Sequence, residues 1–200
     1  MKAILMSIRP KWCEKIFNGS KSIEIRKSRP SIPTPFKVYV YMTKRKWIFK
    51  LLPFLKNRFA KGIGEFICDK VDAYTFSNYE AQYRINDVDL MKTCLNFPEL
   101  IAYGKGKTIY GWHISEPKLF DKPKELREFS KFGYKYLGGC CVNYKCSNCI
   151  DNGWMQPPEC KIDGCFLTRP PMSWCYIETD AKQENPLRTQ AMLELFRKRL

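Results

Sequence analysis

Short segments rich in β-branched and aromatic residues recur along the chain, and Pro or Gly residues lie between most of them. Alternation of polar and apolar residues within such a segment is typical of a β-strand. Pro and Gly between segments mark turns. Six segments have this pattern: 2–7, 22–26, 37–43, 62–71, 108–114 and 173–178. Many short strands divided by turns favour a small, partly closed, mixed or antiparallel β-barrel over a parallel sheet.

Short helices are predicted at the periphery of this barrel. Pro10 suits a first helical turn and Gly19 suits the stop after it. Residues 97–103 form a second candidate helix ended by Gly104, and 123–129 form a third that begins at a proline. The predicted fold class is therefore α+β.

The length of 200 residues, 44% of them hydrophobic, suits one core with an insertion. We predict a domain over residues 1–179, interrupted by a Cys-rich insert at 138–166 and followed by a basic helix or tail at 180–200. The apolar runs are too short to cross a membrane, and the N-terminus lacks a signal-peptide pattern. These features predict a cytoplasmic protein without a membrane partner, and they leave the oligomeric state open.

Positive charge is concentrated in the first third of the chain. The net charge is +15, and residues 1–61 contain 16 Lys and Arg against only Glu14 and Glu24. Clustered bases release counterions from phosphates on binding, so this asymmetry favours a polyanionic partner such as RNA. A merely solvated basic surface, or a surface that meets an acidic protein, is the alternative.

A polar strand face in this basic region is the first candidate site. Alternation places Ser22, Glu24 and Arg26 on one face of the strand, directly after Lys21. Two cations with a carboxylate between them can clamp a phosphate, or Lys21 can shuttle a proton if its surroundings shift its pKa. An ordinary surface ion-pair ladder is the competing interpretation.

Ten cysteines in a chain without an export signal favour thiols or a metal site over a disulfide scaffold. A C-x₂-C pair and a C-x₄-C pair together offer four thiolates to one tetrahedral Zn²⁺. The predicted ligands are Cys146, Cys149, Cys160 and Cys165, with Cys140 or Cys141 as alternates. An all-Cys site has no open position, so this zinc would be structural, and free thiols are the alternative.

The stretch 16–26 resembles the signature of ASCH domains, a branch of the PUA-like superfamily, in which a helix ends at Gly and Lys and Arg follow on a strand. The segments 5–12, 38–41, 62–66, 110–114 and 169–176 resemble the other strands of that domain. The resemblance covers about residues 1–130 and 166–179. Such proteins are found in bacterial and phage-related genomes, which suggests a prophage origin.

This resemblance implies a PUA-like barrel with a cleft for RNA or a modified nucleoside. One branch, the acetylcytidine amidohydrolases, uses a Lys and a Thr on this strand with a Glu from elsewhere, and another branch is ribonuclease-like. Lys21 stands where the family Lys does, but Glu24 occupies the Thr position. The hydroxyl nucleophile of the amidohydrolases is therefore missing from that position.

We accordingly predict an RNA- or nucleotide-binding protein. One alternative is a hydrolase of the same fold, either a ribonuclease or a modified-nucleoside amidohydrolase. The other is an inhibitor or adaptor that binds an acidic protein. Trp47 lies among lysines and is the best candidate for base stacking. The predicted nucleic-acid-binding residues are Arg9, Lys11, Lys21, Arg26, Lys27, Lys44, Lys46, Trp47 and Ser173. The predicted catalytic residues, if the protein is an enzyme, are Lys21, Glu24 and Glu65.

Overall fold

The structure is a computed structural model that describes residues 2–44, 58–131 and 167–178, with the backbone alone of 136–137 and 140–141. The described helices are α1 (Pro10–Phe17), α2 (Asp87–Thr93) and α3 (Phe97–Gly104), with a 3₁₀ turn at Leu126–Glu128. The described strands are β1 (Lys2–Ile8), β2 (Ile23–Arg26), β3 (Phe36–Met42), β4 (Lys61–Tyr74), β5 (Phe76–Ser77), β6 (Gln82–Tyr83), β7 (Ile109–Lys124), β8 (Ser130–Lys131), β9 (Tyr136–Leu137), β10 (Cys140–Cys141) and β11 (Trp174–Glu178).

Seven of these strands form one mixed sheet in the order β2–β7–β4–β3–β1–β11–β8. β1 and β3 run parallel, and the other neighbouring pairs run antiparallel. β2 and β8 are the two edges, and among the described residues no ladder joins them. The prediction of a barrel is therefore wrong about closure. Closure needs the first and last strands to pair, and these edges have only four and two residues.

Both faces of the sheet are covered, and the alternation along β3 divides its side chains between them. Val38 and Val40 pack in a core on one face, which α1 completes with Cys13. Tyr39 and Tyr41 pack in a second core on the opposite face. Because both faces of the sheet are buried, β3 has large apolar side chains pointing to each face.

A third core lies beside the β2 edge, where α2, α3 and the β5–β6 hairpin pack. Asn86 and Asn96 begin the two helices by accepting hydrogen bonds from backbone amides three residues further on. In α3 the Glu99 side chain completes a capping box, so the predicted second helix is confirmed. This arrangement holds α3 next to the edge strand that carries the predicted polar face.

The predicted helix at 123–129 is wrong, because β7 continues to Lys124 and only Leu126–Glu128 is helical. The fixed φ of proline is compatible with extended backbone as well as with a first helical turn, so Pro123 did not discriminate between them. No helix within the described ranges is long and apolar enough to cross a membrane.

The described segments before and after the predicted insert contact each other. The Leu167 amide donates to the Phe129 carbonyl oxygen over 3.0 Å. Of the insert itself, the structure describes the backbone of β10, which pairs with β9. The rest of 138–166 and the predicted tail at 180–200 lie outside the described residues.

Candidate functional site

A cleft of about 890 Å³ lies against the β2 edge strand. Its walls come from the β1–α1 junction, from α3 and from the segment that precedes β11. The lining residues are Ser7, Arg9, Trp12, Lys21, Glu24, Ile25, Arg26, Lys27, Ser28, Thr43, Leu95, Glu99, Tyr103, Pro170, Pro171, Met172 and Ser173. The volume is within the range of about 300–1,000 Å³ that is typical of small-molecule sites.

Three charged side chains form a buried row in this cleft. Lys21, Glu24 and Arg26 are only 2%, 6% and 7% exposed. The Glu24 carboxylate lies between the two cations, with Oε2 3.4 Å from Lys21 Nζ and Oε1 3.0 Å from Arg26 Nη2. We call these residues the Lys21–Glu24–Arg26 row. Its burial excludes the ordinary surface ion-pair ladder that the sequence left open.

The turn after α1 places Lys21 in this row, although it precedes the strand. Gly19 adopts a φ of +81°, and the Lys21 amide then donates to the Lys15 carbonyl oxygen over 2.8 Å. The ammonium group also donates to the carbonyl oxygen of Thr93 over 2.5 Å. Burial lowers the pKa of Lys21 below its usual value, although Glu24 raises it in part.

Arg26 connects the row to the opposite wall of the cleft. Its Nη2 donates to the Ser7 carbonyl oxygen over 2.8 Å, and its Nη1 lies 3.4 Å from Ser173 Oγ. Ser7 fixes the same wall, because its amide donates to the Ser173 carbonyl oxygen and its hydroxyl donates to the Pro171 carbonyl oxygen. The buried Arg26 Nε has no hydrogen-bond partner among the described residues. A guanidinium that is held in place with donors unused can bind a further acceptor.

The rim of the cleft is basic and partly aromatic. Arg9 and Lys27 are exposed, and Lys27 Nζ lies 5.0 Å from the centroid of the Tyr103 ring. Burial raises the pKa of Tyr103, so its hydroxyl remains a neutral donor around neutral pH. Met172 is fully exposed on the facing segment. These side chains offer apolar and cationic surfaces to a planar base.

Trp12 also lines the cleft, but ammonium groups already surround its ring. Lys11, Lys21 and Lys15 place Nζ at 4.6, 5.0 and 5.7 Å from the ring centroid. Trp12 therefore stabilises the cluster of cations beside the cleft through cation–π contacts.

The structure brings six of the predicted site residues together in this cleft. They are Arg9, Lys21, Glu24, Arg26, Lys27 and Ser173. Lys44 is exposed next to the lining residue Thr43, and Lys11 lies over Trp12 outside the lining. Glu65 also lies outside the lining, where its carboxylate is 3.6 Å from Lys37 Nζ. Lys46 and Trp47 lie outside the described residues.

Sequence reasoning missed Ser7, Thr93 and Met172. Ser7 and Thr93 act through backbone carbonyl groups, which every residue has, so no side-chain pattern indicates them. Met172 lies in a proline-containing loop next to the predicted site residue Ser173, and its full exposure follows from tertiary placement alone.

The predicted zinc site remains a prediction. Cys146, Cys149, Cys160 and Cys165 lie outside the described residues, and of the alternates Cys140 and Cys141 only the backbone is described. Within the described ranges, ligand-type atoms of Asp72, Asp89 and His113 lie within 4.8 Å of one another. The Asp72 carboxylate already has partners within the protein, since its oxygens lie 2.8 Å from both His113 Nε2 and Lys70 Nζ. This cluster is therefore explained as a structural network.

Comparison with known proteins identifies the fold. No family model and no curated protein sequence matches the chain. The crystal structure of a mutant ASCH protein from Zymomonas mobilis matches with a TM-score of 0.50 over 96% of this chain and 95% of that one, at 11% identity. The chain has an ASCH-type fold.

Two further structures from Zymomonas mobilis have lower scores. The unmutated ASCH protein and a second mutant give TM-scores of 0.43 and 0.44 at 12% identity, over 96% and 98% of this chain and 94% and 99% of theirs. The ASCH-type fold confirms the resemblance found in the sequence at the level of architecture. Identity this low does not carry any residue's role from those proteins to this one.

Proposed function

We propose that the cleft binds RNA or a nucleotide. The observation that carries this proposal is the buried Lys21–Glu24–Arg26 row in a cleft with the basic rim residues Arg9 and Lys27. Arginine and lysine are the side chains that recognise phosphate groups, through paired hydrogen bonds and charge. The ASCH-type fold supports the same function, since the resemblance in the sequence implied a cleft for RNA or a modified nucleoside.

Fixed geometry also supports binding. Glu24 and the Ser7 carbonyl group hold the Arg26 guanidinium in one orientation before any ligand arrives. A cation that is already oriented loses little conformational freedom when it binds, which favours affinity. Tyr103 at the rim adds an aromatic surface for a base.

A salt series with labelled single-stranded RNA tests this function. Each phosphate contact of a single strand contributes about −0.7 to the slope of log affinity against log salt. We expect Lys27→Ala to reduce the slope by about that amount, and Arg26→Gln to remove most of the affinity. Arg29→Ala is the matched control, because Arg29 is exposed close by and does not line the cleft. Equal losses in Lys27→Ala and Arg29→Ala would move the binding site elsewhere.

Hydrolysis of the bound ligand is a second candidate function. The lowered pKa of Lys21 favours it, because a buried amine that gives up its proton more readily can act as a general base. Glu24 is its only predicted partner in the cleft, since Glu65 lies outside the lining. A denaturing gel of the same RNA samples decides this question. RNA cleavage that Lys21→Met abolishes would make the protein a ribonuclease, and intact RNA would leave a binding protein.

A further inference from the structure

The ionisable side chains of the cleft leave two positive charges without compensation. The lining contains four bases, Arg9, Lys21, Arg26 and Lys27, against the two acids Glu24 and Glu99. A proton that moves from Lys21 to Glu24 does not alter this excess. The cleft is therefore matched to a ligand of two negative charges.

Glu24 is not available to a ligand, and one oxygen of the exposed Glu99 carboxylate is already occupied. Both Glu24 oxygens face cations of the row, at 3.4 Å from Lys21 and 3.0 Å from Arg26. The Glu99 carboxylate accepts the Asn96 amide over 3.0 Å in the capping box. The cleft therefore offers a ligand mainly hydrogen-bond donors.

Arg26 is the residue of the cleft whose hydrogen-bond donors most clearly lack an acceptor. The row as a whole carries one positive charge in a buried place, which is costly without an anion. Arg26 Nε is buried and without a partner among the described residues, and Nη1 has only a long contact of 3.4 Å to Ser173.

We propose that the cleft selects a phosphomonoester dianion, which Arg26 binds at the buried row while Lys27 and Arg9 complete the charge balance at the rim. This inference rests on the proposed function and specifies its ligand: a nucleoside monophosphate or the phosphorylated end of an RNA strand. A phosphomonoester carries about −1.5 to −2 charges at pH 7, whereas an internal phosphodiester carries one. A monoester also has only one substituent to lead out of the cleft.

The pH dependence of binding separates the ligand's ionisation from the protein's. The charged or titratable lining residues are Arg9, Lys21, Glu24, Arg26, Lys27, Glu99 and Tyr103, and none is a histidine. Monoester affinity should therefore increase between about pH 5 and pH 7 as the second phosphate proton, with a pKa of about 6, is lost. Sulfate, whose charge is constant over this interval, is the matched control and should bind with constant affinity.

Calorimetric titration with methyl phosphate and dimethyl phosphate tests the selectivity. We expect methyl phosphate to bind at least about tenfold more tightly, because it brings one more charge close to buried cations. Arg26→Gln should abolish this preference, and Arg29→Gln should retain it. If Arg26→Gln fails to fold, Lys27→Ala replaces it, since Lys27 is exposed at the rim, and it should weaken methyl phosphate binding by about threefold or more. Equal affinity for the two esters would overturn the inference.

Two further titrations distinguish the ligand sources and the two proposals. Uridine 5′-monophosphate that binds as tightly as a 5′-phosphorylated oligonucleotide would assign the cleft to mononucleotides, and tighter oligonucleotide binding would assign it to RNA ends. Undiminished binding of RNA after removal of its terminal phosphate would overturn the inference and leave the proposed function. Methyl phosphate binding without any binding of RNA or uridine 5′-monophosphate would overturn the proposed function and leave only a preference of the cleft for phosphomonoesters.

Discussion

The ammonium group of Lys21 donates to the carbonyl oxygen of Thr93 over 2.5 Å, which ties the buried row of the cleft to the last residue of α2. Carbonyl groups at a helix C-terminus carry partial negative charge, so this contact and Glu24 together offset the cost of burying an ammonium group. The Ser22 amide makes a parallel link to the Lys92 carbonyl oxygen at 3.1 Å. The geometry of the cleft therefore depends on how α2 packs against β2.

The geometry of the row predicts which of two substitutions, Glu24→Gln or Lys21→Met, destabilises the protein more. Glu24→Gln leaves two buried cations without a carboxylate, whereas Lys21→Met leaves Glu24 paired with Arg26. We expect Glu24→Gln to lower the free energy of unfolding by roughly 3–5 kcal/mol and Lys21→Met to lower it by less. Urea titration measures both, with the exposed Glu14→Gln as the control that should have almost no effect. The reverse order would mean that Glu24 is not the central partner of the row.

Asp72 should make stability depend on acidic pH. Burial raises its pKa, but hydrogen bonds from Lys70 and His113 outweigh burial and hold the pKa below its usual value. A depressed folded-state pKa contributes stability above the unfolded-state value of about 4, and this contribution is lost as pH falls through the folded-state pKa. Asp72→Asn should therefore lower the free energy of unfolding by about 1–2 kcal/mol at pH 7.

The difference in the free energy of unfolding between the native protein and Asp72→Asn should become smaller as the pH is lowered below about 4. Asp69→Asn is the control, because Asp69 is exposed on the same strand. Urea titrations at several pH values measure the effect. A constant difference at every pH would show that the variant acts through packing rather than through charge.

Gly64 should not tolerate a side chain. A methyl group there would overlap the Lys118 carbonyl oxygen of the neighbouring strand and would lie 2.6 Å from the Phe17 ring. Backbone atoms within a ladder cannot move aside without breaking it, so Gly64→Ala should cost about 1–3 kcal/mol. Thermal unfolding measures the loss. An unchanged midpoint would contradict the close approach of β4 and β7 at this residue.

Cysteine reactivity should separate the buried thiols of Cys13 and Cys68 from the partly exposed thiol of Cys94. Burial raises the pKa of Cys13 well above its usual value and that of Cys68 to about 12, whereas Cys94 is partly exposed. Because the thiolate is the reactive form, iodoacetamide should label Cys94 much faster than Cys13 and Cys68 in the folded protein. Peptide mass spectrometry measures the labelling, and in urea the three residues should react alike. Rapid labelling of folded Cys13 would contradict its place on the buried face of α1.

The sequence predicted the local elements where one signal dominated. The Pro10 start and Gly19 turn of α1, the alternation of β3 and the helix at 97–103 all follow from propensities that act within a few residues. The helix predicted at 123–129 was wrong because Pro123 suits both candidate structures, and the pairing of β7 with β4 decided between them.

For the site, the sequence named five of the six charged residues that line the cleft, all except Glu99, but not their arrangement. Lys21, Glu24 and Arg26 are close in the chain, so their proximity follows from short-range geometry. Glu65 was predicted with them and lies elsewhere, because its position is set by the pairing of β4 with β3 and β7. The charge and spacing of residues in the sequence do not determine which strands pair in the sheet.

Burial is what only the tertiary structure decided. The basic composition, the strand pattern and the ASCH resemblance are properties of the sequence itself. Whether the Lys21–Glu24–Arg26 row faces water or the interior depends on α3, the β1–α1 junction and the segment at 170–173, which are distant in sequence and meet only in the folded chain. The same three charges would be a solvated ion-pair ladder at an open sheet edge, and their enclosure is what makes them a candidate anion site.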